Sequence, residues 1–529
     1  MPALLMLFAA HLGRAALMPG ADEKWRHFQS GHFEVYSRNS ESETRLLLHN
    51  LELVHAIFFE SFGFTATRSV PVTVYFFSRD KFFEAYKPEA YRKTENIATF
   101  YHGDLDRGIL TVAPLPSYDA AQQLAFGSYT FHLFRLMGDP APPWYLYGLS
   151  GIFRNLVLNS ETFEFGRSET DQITRLQRAT LIPVEVMFGA DEQSNAFMAN
   201  QDDGLFHDES WAMVHYLLFG QNKMSRAKVL EFVDYAMRHS RSFDAAANRR
   251  VFEEKTGLTY RQMDNALENY FSGGRYSWTK RPLPAIAPSK SYAMRKVPLD
   301  EIDLRLAELG LRVNRAPMAK LALLQAAGRP AEAARIQEVL GTDAARAGDW
   351  DVAVERWERA LAAGSDNPAV LHELCQVESR KRFQRFDLYY RLPDDAAVKL
   401  RDLLRRAITA MPLQTSTYEL LAWVEATARE PQIANVNLVQ KNFPRLKEQN
   451  RTLLALALVR LRLDDKAGAA EMLNLIALGQ PDNWVKYGAE LTRAQLEDRP
   501  VNPDNLPAVS SQPASRAPVI RLQIPKPRI

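Results

Sequence analysis

Leu124 to Phe153 reads LAFGSYTFHLFRLMGDPAPPWYLYGLSGIF. From Ser117 the apolar spacing settles to 3.6 residues, which predicts helices near 118–137 and 144–158. Pro140, Pro142 and Pro143 force a break between them, because proline lacks the N–H and the conformational freedom that a continuing helix needs. The stretch is also crowded with aromatics: Phe126, Tyr129, Phe131, Phe134, Trp144, Tyr145 and Tyr147. Such a cluster is either a packed core or a ligand groove, and core packing is the plainer reading.

Upstream, the pattern changes to strands. Phe33 to Ser37 (FEVYS) alternates apolar and polar, and Val72 to Phe77 (VTVYFF) is β-branched and aromatic. Between them Ser40 and Glu43 make a capping box, followed by Leu47, Leu51, Val54 and Phe58 at helical spacing. Ile97 to His102 and Ile109 to Ala113 flank the turn-forming run Gly103 to Gly108. Residues 22–281 therefore read as an α+β domain, a small mixed sheet with helices.

Tyr276 to Pro298 carries Pro282, Pro284, Pro288 and Pro298, so residues 282–298 read as an extended linker. Residues 299–499 are Ala- and Leu-rich and helical throughout, an all-α domain. Its clearest unit is Gly341, Gly348, Asp349, Trp350, Ala353, Trp357 and Ala360, with small residues where antiparallel helices approach closely and an aromatic where the next hairpin packs. This unit resembles a tetratricopeptide (TPR) repeat, and Ala469, Leu473, Ile476 and Pro481 echo it. Gly328 precedes Gly348 by too few residues for a regular 34-residue period, so the array is irregular; a plain bundle with Ala-rich seams is the alternative. Residues 500–529 are Pro-rich with little to pack and read as a disordered tail.

The whole chain of 529 residues is 46% hydrophobic and 24% charged, within the globular range. A net charge of +2 gives no support for a nucleic-acid partner. The single Cys375 excludes an intramolecular disulfide and a cysteine-based metal site. No apolar run is long enough for a membrane span. Residues 1–21, with Ala3 to Ala10 apolar, read as a signal peptide or a frayed leader. The first implies a periplasmic or secreted protein, the second a cytoplasmic one.

The frame of Leu124–Phe153 resembles the peptidase MA-like gluzincins, in which a helix bearing H-E-x-x-H precedes a helix opening with W-x-x-E-G. Tyr129, Thr130, His132, Pro143, Trp144, Gly148, Leu149 and Phe153 carry the likeness, and Ser210 to Leu217 extends it. The resemblance implies two histidine ligands at Gly127 and Phe131, a catalytic glutamate at Ser128 and a glutamate ligand at Tyr147. All four positions are substituted. Zinc catalysis needs about three N, O or S donors and a base for the bound water, and Gly and Phe offer neither. The resemblance with these substitutions implies an inactive copy, with no metal and no catalytic residue.

The 11 histidines include no pair at i,i+3 or i,i+4, and His207 and His215 lie about 12 Å apart along a helix, too far for one ion. Ser128 and His132 share a helical face, so a hydrolase with these as nucleophile and base is the alternative function. No G-x-S-x-G elbow surrounds Ser128. Asp202-Asp203 and Asp208-Glu209 read as solvated loop charges. No phosphate-binding or dinucleotide loop appears, so no cofactor is expected. The reading is a pseudopeptidase and TPR-like scaffold for a protein or peptide partner, with Tyr129, His132, Trp144, Tyr147, Trp211, Trp350 and Trp357 as candidate binding side chains.

Overall fold

The computed structural model describes residues 24–501 apart from 62–70, 89–98, 115–117, 137–140, 192–193, 195–203, 221–223, 240–242, 275, 315, 331, 383–385, 413, 447 and 479–480. The leader, and the Pro-rich tail beyond residue 501, lie outside them. The chain divides into two compact units, one up to Gly328 and one from Arg329.

The first unit opens with β1 (Arg26–Gln29) and β2 (Phe33–Ser37), then α1 (Glu41–Ser61) and β3 (Val72–Phe76). The capping box forms as read: Glu43 N donates to Ser40 Oγ, and Ser40 N donates to Glu43. After α2 (Asp80–Tyr86) come β4 (Thr99–Gly103) and β5 (Gly108–Val112), the antiparallel hairpin expected around Gly103–Gly108. A mixed six-stranded sheet results, in the order β4-β5-β3-β2-β1-β9, the last being Ala293–Lys296, with β2, β3 and β5 parallel. β3 is buried along its whole length, as a central strand with both faces covered must be.

Two helices follow, α3 (Tyr118–Leu136) and α4 (Pro143–Arg154). The second stops short of the expected residue 158, because Val157 and Leu158 form β6 and pair with β7 (Thr162–Phe165). A helical layer continues with α5 (Thr170–Arg178), α6 (Val184–Gly189), α7 (Leu205–Phe219), α8 (Arg226–Arg238), α9 (Ala245–Thr256) and α10 (Tyr260–Ser272).

Residues 282–298 are not a free linker. β8 (Thr279–Pro282) joins β7 in a second, three-stranded sheet, and β9 (Ala293–Lys296) pairs antiparallel with β1. Arg45 of α1 donates to the carbonyls of Ser289 (2.8 Å) and Tyr292 (3.0 Å), fixing the chain between the two strands. The boundary therefore moves from 298 to 328, and α11 (Leu299–Asn314) and α12 (Pro317–Ala326) belong to the first unit. Ile302, Leu306 and Leu309 of α11 enter the core with Tyr36, Tyr75, Phe77 and Phe83.

Beside that core lies a buried ion network. Arg312 Nη1 and Nη2 donate to Asp106 at 2.8 and 2.7 Å, Nη1 also to Asp104 (2.8 Å), and Nε to Glu308 (3.1 Å). Arg107 reaches Glu34 at 2.8 Å and Glu308 at 3.6 Å. The β4–β5 turn is thereby fastened to α11.

The second unit is all helical: α13 (Ala333–Ala347), α14 (Trp350–Ala362), α15 (Pro368–Arg382), α16 (Asp394–Ala410), α17 (Thr415–Thr427), α18 (Ile433–Asn442), α19 (Gln449–Arg462), α20 (Lys466–Leu478) and α21 (Asn483–Leu496). Its main core gathers Leu371, Cys375, Leu404, Tyr418, Leu421 and Val459 from successive helices. Four helices end in one way: Gly348, Gly364, Asp464 and Asp498 take positive φ of 88°, 92°, 58° and 49°. The next residue's N–H then returns to a carbonyl five positions back, as in Asp349 to Ala344 and Asp465 to Arg460, both 2.9 Å. This is the Schellman closure, which satisfies carbonyls at a helix end.

Candidate functional site

α3 and α4 come together where the sequence places Gly127. A Cβ on Gly127 would stand 3.2 Å from Arg154 Cβ and 3.4 Å from the Ser150 carbonyl, so α4 lies directly over this position. One turn on, the Phe131 ring meets Tyr147 of α4 at 5.1 Å between centroids, and Tyr147 meets His207 of α7 edge-on at 4.1 Å. Phe131, Tyr147 and His207 thus form a continuous run of tilted and edge-on ring contacts. Burial pushes the His207 imidazole down to about 3, aided by the Arg154 charge, so the ring is neutral at physiological pH.

α7 closes on the other side of α4 through glycine. A Cβ on Gly148 would fall 2.3 Å from the Ser210 carbonyl and one on Gly151 3.1 Å from Trp211 Cδ1. The glycines that carry the motif-like appearance of this segment are explained by helix contact: only a residue without a side chain permits backbones this close.

A metal held here would need donors at these positions, and Gly127, Phe131 and Tyr147 provide no imidazole or carboxylate. Among the described residues no group of three or more His, Cys, Asp or Glu side chains is arranged to hold an ion.

Ser128 is half-buried on α3. His132 is buried, and its Nδ1 is hydrogen-bonded to the Tyr101 hydroxyl of β4, with the rings 4.3 Å apart. The imidazole of the alternative hydrolase pair is thus committed toward the sheet. Tyr129 points the same way and bonds His55 Nδ1 at 2.7 Å; His55 stacks on His32 at 3.7 Å, and His32 Nδ1 meets Glu52 at 2.6 Å. Sequence reasoning missed this His–Tyr–Glu network. The available signal was His55 standing among Leu51, Val54 and Phe58 on the apolar face of α1.

The candidate binding residues separate sharply. Tyr129, His132, Trp144, Trp211 and Trp357 are core residues with no face open to a ligand. Trp144 packs on Phe188 (5.0 Å), and Trp211 on His215 (4.7 Å). His215 bonds Tyr270 and the Gly166 carbonyl, and burial lowers it to about 4. Trp357 fills the notch at Gly341 within its own hairpin, where a Cβ would approach it to 2.5 Å. Tyr147 is half-buried. Trp350 is exposed at the start of α14, with the Arg380 guanidinium 5.6 Å from its ring.

Asp208 and Glu209 are not solvated loop charges. They lie buried on α7, where Asp208 accepts from Arg175 (2.6 Å) and Gln172 (3.1 Å) and Glu209 accepts from Ile182 N (2.9 and 3.0 Å). Burial raises the Asp208 carboxyl even against Arg175. Asp202 and Asp203 lie outside the described residues.

No protein-family model matches the chain, and neither a curated protein nor a solved structure matches it. What stands on the structure is an α+β unit with a mixed six-stranded sheet, followed by an all-α unit. Among the described residues no helix is long and apolar enough to cross a membrane.

Proposed function

We propose that this chain is a non-catalytic binding protein: an inactive gluzincin-like domain joined to a TPR-like array that holds a protein or peptide partner. The observation that carries the reading is the occupation of the would-be metal position. Gly127 is covered by α4, Phe131 packs on Tyr147, and Tyr147 meets His207 edge-on, so rings stand at the positions where donors would be needed. The helical hairpins of the second unit support the second half, since stacked hairpins present an extended surface for a partner. Within the first unit β4 ends the sheet, but Thr99, Phe100 and Tyr101 are buried, so the peptide edge expected near Ile97–His102 is covered along these residues.

Metal analysis of the purified full chain tests the inactive assignment. Less than stoichiometric zinc is expected; about one ion per chain that survives dialysis overturns it. Removal of residues 329–499 is expected to abolish partner capture, and retained capture moves the binding role away from the array.

A further inference from the structure

Thr279 to Val297 carries Lys280, Arg281, Lys290, Arg295 and Lys296 and no acidic residue. All five cations are exposed. Arg295 is paired with Glu301 of α11; the other four have no ion pair with any described residue. Within this stretch β9 is the last strand of the six-stranded sheet. Its neighbour is β1, in the register Arg26↔Lys296 through Gln29↔Ala293, and all four of its residues are exposed. Alternate backbone N–H and C=O groups of such a strand face outward, and among the described residues no further strand pairs with them.

Lysine and proline on an edge strand also serve to keep other chains away. Three features go beyond that role. The edge is built in place: Arg45 binds the Ser289 and Tyr292 carbonyls, and the buried Tyr292 ring sends its hydroxyl to the Ala287 carbonyl (3.2 Å), so little ordering remains to be done when a partner binds. Met294, in the middle of the strand, is 40% exposed, an apolar contact where a guarded edge would carry charge. The cations also continue through Lys290 into β8, further than protecting four residues requires.

We propose that β9 is a docking edge for an extended acidic segment of a partner protein, which adds to the sheet as a further strand. Its backbone pairs with β9, an apolar side chain covers Met294, and carboxylates meet Lys290 and Lys296. Main-chain bonds supply affinity, and the cations select acidic sequences and speed encounter. A nucleic acid answers the charge but has nothing to pair with the row of N–H and C=O groups, and the net charge of +2 gives it no wider field to follow.

The test is fluorescence anisotropy of the full chain with the labelled peptide Thr-Val-Thr-Glu-Thr-Val-Thr-Glu, which sets valine and glutamate on one face as Met294 and Lys296 are set on β9, beside a version with proline at the second Val and a labelled RNA oligonucleotide. The Val/Glu peptide is expected to bind. Affinity should fall at least about tenfold for the K290E/K296E variant and for the proline peptide, and stay unchanged for R226E/K228E, which reverses two exposed cations on α8. Thermal unfolding by circular dichroism checks that each variant is folded. Equal binding of the proline peptide, equal loss in R226E/K228E, or binding of RNA in preference to peptide each overturns the proposal.

Discussion

At Gly148 a single hydrogen atom decides whether α4 and α7 fit together. A methyl group there would sit 2.3 Å from the Ser210 carbonyl and 2.4 Å from Val214 Cγ2, so Gly148→Ala must push two helices apart. Overpacking of this kind costs about 1–3 kcal/mol. The expected outcome is a lower denaturation midpoint in urea at an unchanged slope, while Gly257→Ala, at a positive φ with open space around it, reports the backbone cost alone. The sequence displayed Gly127, Gly148 and Phe131 in a recognisable frame, and their spacing on helices was legible from the 3.6 period. What each glycine abuts was not, because close approach depends on residues such as Ser210 that lie far along the chain. Trp144 stood in an aromatic cluster whose plainer reading was core packing, and its contact with Phe188 agrees; Trp211 lay outside that cluster, and burial against His215 makes it core as well.

On α11, charge sits on the face that the helix buries. Arg305, Glu308 and Arg312 all lie inside, and Arg312 faces Asp104, Asp106 and Glu308 at once. Removing one partner from a buried cluster is expensive because the others remain desolvated, so Arg312→Met should cost about 3–5 kcal/mol. Adding Asp106→Asn should recover part of the loss, since it removes one of the stranded charges; chemical denaturation of the single and double variants measures both. The cluster also explains why the boundary read from the prolines at 282–298 fell short. Proline density does signal a chain without helix, and no helix longer than the Ser289–Ser291 turn forms there. An extended chain can equally well be an edge strand, and the bonds that make it one come from Arg26–Gln29 and Arg45, remote in sequence. By contrast the β4–β5 hairpin and the Ser40 cap were readable because their determinants are local.

Across the whole molecule, acid acts unequally on the two units. In the first, burial lowers His207 to about 3 and His215 to about 4, so both are neutral when folded. Below the ordinary histidine range near pH 6.5 the unfolded chain takes up these protons before the folded one, and stability falls as pH falls. The loss is about 1.4 kcal/mol per pH unit for each histidine, continuing until the folded ring titrates. Asp208, raised by burial, acts in the opposite sense. In the second unit His372 behaves in the same way, lowered to about 4 by burial and the Arg380 charge, but Glu373 beside it is raised by burial to about 7. That carboxyl keeps its proton when folded while the unfolded chain releases it near 4.5, so its contribution is present at low pH and is lost as pH rises through 7. Between pH 4.5 and 6.5 the two neighbours nearly cancel. Amide exchange by mass spectrometry, corrected for intrinsic rates, should therefore show protection in α7 and its neighbours falling steeply from pH 7 to 5, while α15 and α17 change little. A His372→Gln variant should unmask the carboxyl and make α15 better protected at pH 5 than at pH 7; equal acid sensitivity of both units in the parent chain would count against this assignment of the buried protons.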